Sequence, residues 1–340
     1  MTGLLSLREL RVELPIDGTP KPILRGIDLD IGEGEAVGLV GESGSGKSMT
    51  ARAIARTLPK GARTSGEITV AGERVLALSG AALRRYRTDV MGMIFQDPRA
   101  HINPVRRIGD FMTEALRTNR RVTSRAAQAR AGELLTAVGL TDVEARMRQY
   151  PHQLSGGMLQ RVMIAAALAS EPRLILADEP TTALDVTTQN EVMAILDGLR
   201  RDRGVSMLFI THDLDLAAAV CDRLAVMYAG TLVEEQVSSR LHRWPQHPYS
   251  AGLSASRPRV DATAERLLAI PGRPLSAFDA PPGCAFAPRC RFAQDRCRET
   301  DPPMTPTSVG RVACVRHEEI AADLSGNGDP VALDPAGSQR

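Results

Sequence analysis

The first chemistry in the sequence is GESGSGKS at 41–48, which fits G-x-x-x-x-G-K-S. Gly41, Gly44 and Gly46 would let backbone N–H groups close around phosphate oxygens, Lys47 could reach the β and γ phosphates, and the Ser48 hydroxyl could ligate Mg²⁺. A second cluster is the acidic pair Asp178 and Glu179 that closes LILADE. In a chain with a phosphate loop, one carboxylate can hold Mg²⁺ while the next orients and deprotonates an attacking water. His212, after MLFIT, and Gln96, in MIFQDP, carry little weight alone, since a single histidine is more often a buried, hydrogen-bonded side chain. LSGGM at 154–158 is a paired glycine at the start of a helix, which resembles a second phosphate cradle in a chain that already has a complete one.

Positioning these groups requires strands that end beside helices. EAVGLV (35–40) is a short apolar run that enters the glycine-rich turn, and SMTARAIARTL (48–58) follows with helical apolar spacing. LILA (174–177) ends in the two acids, MLFIT (207–211) ends at His212, and LAVMY (224–228) stops before Gly230. Strands alternating with helices predict an α/β fold with a mostly parallel sheet, which gathers functional groups at the carboxyl ends of its strands. From about 97 to 165 the spacing turns helical (FMTEALR, ARAGELLTAVGL), predicting a helical insertion in a domain spanning 1–243. From 244 to 319 proline and cysteine accumulate in a small loop-rich extension, and 320–340 reads as a disordered tail.

Composition narrows the class. Forty-two basic and 40 acidic residues leave a charge of +2, so no global field points to nucleic acid or to an anionic membrane surface. All the basic residues except Lys21, Lys47 and Lys60 are arginine. The longest apolar runs, such as VMIAAALA at 162–169, fall short of the roughly 18–20 residues a spanning helix needs. MTGLLSLREL has neither a basic stretch nor a cleavage site, so the cytosol is the expected compartment and structural disulfides are not expected.

Taken together and in order, GESGSGKS, Gln96, LSGGM, LILADE, ALD (183–185) and His212 resemble the ATP-binding subunits of ABC transporters. The resemblance implies a P-loop ATPase fold in which two subunits face each other head to tail, so that LSGGM closes over the partner's nucleotide. It implies that Gly41, Ser43, Gly44, Ser45, Gly46, Lys47, Ser48 and Met49 hold ATP, and that Ser48, Gln96 and Asp178 serve Mg²⁺. Glu179 would be the general base, His212 the γ-phosphate contact and Asp185 a bridge across the dimer, with Ser155, Gly156 and Gly157 acting in trans. One position departs from the family: where an aromatic residue commonly stacks on adenine, near the end of RVELP, this chain has Leu14. Weaker nucleotide affinity or looser base selectivity is the corresponding expectation.

A narrower resemblance spans roughly 5–317. QDPRAHINP, PHQLSGGMLQRVMIA, ADEPTTALDVT, CDRLAVMYAG, PQHPYSAGL and PPGCAFAPRC look like the D-type ATPase of the oligopeptide/dipeptide/nickel importer branch, with Ile102 in place of that branch's usual leucine. It implies two permease subunits docking near Gln96 and the helical insertion, an extracytoplasmic solute-binding protein, a second related ATPase as a heterodimeric partner, and a place on the cytoplasmic face of the membrane. Cys284, Cys290, Cys297 and Cys314 are spaced C-x5-C-x6-C-x16-C. That spacing disfavours a simple zinc ribbon, which prefers close C-x2–4-C pairs, and matches neither common ferredoxin run. The branch's extension carries a similar four-cysteine pattern, which implies a [4Fe–4S] cluster; zinc and unligated thiols are the alternatives. Cys221 reads as a small buried apolar residue, and His242 and His247 as packing residues of the link to the extension.

The function implied is ATP hydrolysis that energises peptide import. Nickel or another small solute is an alternative cargo. A soluble ABC-type ATPase acting on ribosomes or DNA is a second reading, disfavoured by the single cassette and the lack of a heptad run. An inactive structural partner is a third, disfavoured because Glu179, His212 and LSGGM are intact.

Overall fold

The computed structural model describes residues 3–119, 122–181, 184–256 and 270–324. Its centre is an eight-stranded sheet built from β3 (Ala36–Val40), β6 (Met91–Ile94), β7 (Leu174–Asp178), β8 (Ser206–Thr211), β9 (Arg223–Tyr228), β10 (Thr231–Val237), β11 (Thr305–Pro306) and β12 (Gly310–Val312). The spatial order is β11-β12-β10-β9-β3-β8-β7-β6. Strands β9, β3, β8, β7 and β6 run parallel, while β10, β11 and β12 add an antiparallel flank. Every residue of β3, β7 and β8 is buried, which is why these segments read as unbroken apolar runs.

Alternation along these strands supplies two different layers. Ala36, Val40, Met207 and Phe209 face a core shared with the helices Ile108–Asn119, Ser124–Ala137 and Gly156–Ala169. Val37, Leu39, Leu208 and Ile210 face the other way, onto helix α1 (Lys47–Ile54) and a second, antiparallel sheet. That sheet is ordered β2-β1-β4-β5 from β1 (Leu5–Ile16), β2 (Thr19–Ile31), β4 (Arg63–Val70) and β5 (Glu73–Arg74). The parallel sheet is therefore covered on both faces, as a parallel sheet must be.

The C-terminal segment is less separate than the sequence suggests. Strand β12 pairs with β10, Glu234 opposite Val312, so the last part of the chain completes the main sheet. Tyr249, Ala285 and Phe286 belong to the helical-side core. Residues 321–324, expected to be disordered, form a short helix with Leu324 buried; 325–340 lie outside the described residues. Buried acids join this flank together. Glu235 pairs with both Arg223 and Arg311, and Glu234 accepts from the backbone N–H groups of Gln246 (2.8 Å) and His247 (2.9 Å). Burial pushes the Glu234 carboxyl up to about 7 despite those bonds.

Candidate phosphate-binding site

The loop between β3 and α1 is pressed against β9. At Gly41 (φ +155°) a Cβ atom would sit 2.1 Å from the Met227 carbonyl oxygen, and at Gly46 (φ +109°) it would meet Leu24 and Met227 at 2.8 Å. Only glycine fits such a path. The buried Lys47 curls back within the loop, its Nζ donating to the carbonyl oxygens of Gly41 (2.8 Å) and Glu42 (3.0 Å). Burial lowers its pKa, against the opposing pull of Glu179, Asp178 and Glu42.

Strand β7 delivers Asp178, whose Oδ1 accepts from the Ser48 hydroxyl at 2.8 Å. Burial raises the Asp178 pKa, opposed by that bond and reinforced by Glu179. The pair Ser48–Asp178 is the hydroxyl-plus-carboxylate set that Mg²⁺ takes up in phosphate-loop sites, and it fits such an ion. The next residue, Glu179, adopts φ +44°, a left-handed conformation that costs a non-glycine residue of order 1–3 kcal/mol. The Glu179 N–H donates to Ile210 O at 2.9 Å and fixes the turn. Its carboxyl receives Gln96 Nε2 at 2.9 Å on one oxygen and lies 3.7 Å from His212 Nδ1 on the other. Three residues from three strand ends thus converge. Ser43, Gly44, Gly46, Lys47, Ser48, Met49, Gln96, Glu179 and His212 all line one open cleft of about 700 Å³, within the range of small-molecule sites. Ser45 is buried beneath the loop with its hydroxyl unpaired.

Other expected residues stand apart from that cleft. Ser155 is exposed and caps the helix Gly156–Ala169, accepting from Met158 N at 3.3 Å; Gly156 and Gly157 open the same helix. Asp185 caps the helix Val186–Arg203 through Thr188 N (3.0 Å) and Thr188 Oγ1 (2.8 Å), and these bonds lower its pKa. None of the four lines the cleft.

The four cysteines of the extension meet in space. Cys284, Cys290, Cys297 and Cys314 do converge on one cavity, with His247 and Phe286, but it measures about 20 Å³, space for roughly one water. Among the described residues no group of three or more His, Cys, Asp or Glu is placed to hold a metal ion. Burial raises the Cys284 pKa, and pushes Cys290 up to about 12 and Cys314 up to about 11. Cys221 is buried as expected, and His247 is buried and neutral, its pKa lowered to about 3 while Nδ1 accepts from Tyr249 N at 3.0 Å.

The sequence reading missed a clamp on the loop. Arg289, from the extension, forks onto Glu42 at 2.6 and 3.0 Å, and Nε donates to Pro271 O at 2.7 Å. The Tyr249 hydroxyl accepts from Glu42 N at 2.7 Å. Ser276, Ala277 and Phe278 reach the cleft itself. Glu42 is a free position of the loop pattern and its partner lies 247 residues away, so the only sequence signal was an arginine amid the cysteine run.

Comparison with known proteins fits this geometry. The family described as ABC transporter matches residues 24–182, and the oligopeptide/dipeptide transporter C-terminal region matches 233–297. The chain is 40% identical to the oligopeptide transport ATP-binding protein OppD of Escherichia coli, covering 93% of this chain and 94% of that one. It is 44% identical to a putative peptide import ATP-binding protein of Brucella melitensis (87% and 92% covered). It is 43% identical to OppD of Mycobacterium tuberculosis over 95% of its own length but spans only 54% of that longer relative. Among solved structures it resembles the dimeric post-hydrolysis state of an ATP-binding cassette bound to ADP and Pi, with TM-score 0.62 and 29% identity over 69% of this chain and 98% of that one.

Proposed function

The chain belongs to the ABC transporter family, with the C-terminal region of its oligopeptide/dipeptide branch, and from that premise we propose that it hydrolyses ATP to energise peptide import. The observation that carries this reading is the convergence of Lys47, Ser48–Asp178 and Gln96–Glu179–His212 on one cleft. Lys47 and the loop N–H groups bind the β and γ phosphates. Ser48 and Asp178 hold Mg²⁺, which when bound neutralises charge on the phosphates. Glu179, aimed by its strained backbone and by Gln96, orients the attacking water and takes its proton, and His212 contacts the γ phosphate.

In this reading Ser155, Gly156, Gly157 and Asp185 serve the nucleotide of a facing ATPase, supported by their position at exposed helix starts away from the cleft. The facing subunit is a related chain in a heterodimer. Two permeases dock near Gln96 and the helical segment, an extracytoplasmic binding protein delivers peptide, and the chain works on the cytoplasmic face. Among the described residues no helix is long and apolar enough to cross a membrane, so the permeases must provide the path. Residues 1–243, with the helical segment 97–165, are the ATPase proper, and 244–319 are an extension that steadies it.

The test is the complex in proteoliposomes. Glu179→Gln should bind ATP with wild-type affinity yet lose at least about 10²-fold in turnover and all ATP-driven peptide uptake; retained turnover removes Glu179 as the base. For the four converging thiols we propose a [4Fe–4S] cluster as their ligand, the support being four donors around one cavity. Iron and sulfide analysis after anaerobic purification decides it, and absence of both ends the proposal.

A further inference from the structure

Besides the phosphate loop, the cleft is lined by Leu14, Ile23 and the turn Ser276–Phe278. Phe278 is the only phenylalanine, tyrosine or tryptophan lining the cleft among the described residues, and it is one of the few large apolar side chains left exposed, at 36%. Its turn is fixed rather than loose. Ala277 is buried and packs where a Cβ on Gly230 would collide with it at 2.7 Å, and Asp279 N donates to Ser276 O at 3.0 Å. Lys21 holds its Nζ 4.9 Å from the Phe278 ring centroid. Lys21 is the cross-strand partner of Leu14 in the β1–β2 pair, so the ring is tied to the strand position where the aromatic residue was expected.

We infer that Phe278 is the stacking platform for the nucleotide base, supplied by the C-terminal extension in place of the missing aromatic at position 14. A planar purine gains most from a flat π face that is fixed in advance, and a leucine offers none. The aliphatic Leu14 and Ile23 give the base an apolar lining, and Lys21 holds the ring through a cation–π contact. The extension thereby becomes part of the ATP site, and base recognition depends on residues some 230 positions beyond the phosphate loop. This inference rests on the reading of the cleft as an ATP site.

The experiment compares two ligands on the purified full-length chain by titration calorimetry: ATP, and tripolyphosphate, which has the phosphates and no base. Phe278→Ala should weaken ATP roughly 5- to 150-fold and leave tripolyphosphate unchanged. Phe278→Trp should keep ATP affinity and show tryptophan fluorescence that ATP quenches and tripolyphosphate does not. An unchanged ATP affinity in Phe278→Ala, beside a Lys47→Ala variant that loses ATP, overturns the inference alone. Equal weakening of both ligands also overturns it, because Phe278 would then act only through packing. A wild-type chain that binds neither ligand overturns the ATP reading as well.

Discussion

The turn at Gly41–Ser48 and the turn at Ser155–Met158 are both glycine-bearing entries to a helix, and Gly41 in the first and Gly156 in the second sit in opposite surroundings. In the first, the chain's own atoms occupy the space a side chain would need: Met227 O lies 2.1 Å from the Cβ position of Gly41. In the second, nothing among the described residues lies within 4 Å of a Cβ on Gly156, although one on Gly157 would press on the Thr188 methyl at 2.6 Å. The first loop is also held from outside by Arg289 and the Tyr249 hydroxyl, whereas Ser155 is exposed and, among the described residues, bonded only to its own helix. The empty space at Gly156 leaves room for the close approach of the facing subunit in the proposed dimer.

The strongest way to break that contrast is Gly41→Ala. It should cost at least about 3 kcal/mol of stability and abolish ATP binding, read by thermal denaturation and calorimetry, because φ +155° and the Met227 carbonyl leave no relaxation path. Arg289→Ala should come next, at about 2 kcal/mol. Losing one partner of a fully buried pair costs 3–5 kcal/mol, and the partial exposure of Glu42 reduces this. Weaker ATP binding should accompany the lower melting temperature; unchanged affinity would detach the clamp from the loop.

A third probe uses pH on the support behind Tyr249. His247 has its pKa lowered by burial from 6.5 to about 3, so its contribution is present above pH 6.5 and is lost as pH falls toward 3. Wild type should lose about 1 kcal/mol per pH unit between pH 6 and 4 through this group, and His247→Asn, which can still cap its helix, should show a shallower slope. Neighbouring Glu234, raised to about 7, acts oppositely: its contribution is present below the ordinary carboxylate range and is lost as pH rises through 7. The smallest stability effect belongs to Gly156→Ala, within about 1 kcal/mol of wild type. ATP binding by the isolated chain should persist while turnover by the assembled complex falls. A large loss of stability would show that Gly156 has an internal reason after all.

The same contrast explains what was legible in the sequence. Strands β3, β7, β8 and β9 are buried on both faces and announce themselves as apolar runs, and the groups at their ends follow from motif spacing. Strand β1 was not read, because its alternation breaks between Leu7 and Leu10, where the register shifts and Glu9 turns to φ +47°. Strand β10 hides three buried polar residues, Glu234, Glu235 and Gln236; Gln236 donates to Glu234 beside it, and their further partners lie outside the strand. The Arg289–Glu42 fork and the approach of Phe278 are meetings of distant segments, which no local pattern records. The thiols illustrate the converse: their convergence on one cavity agrees with the four-cysteine pattern, but the spacing carried no information on how closely they would pack.

The pairing of β10 with β12 bears on how the chain keeps company with itself. Strand β12 is three residues long and β11 only two, ending in Pro306, so the rim of the main sheet is short and lacks one donor. Remove everything after residue 300, and the seven-residue β10 becomes the rim, its backbone donors and acceptors bare along the side that met Gly310–Val312. Such a row is a template for another copy's strand. A truncation meant to isolate the catalytic part would therefore aggregate, for want of a few residues that cap the sheet against its own kind.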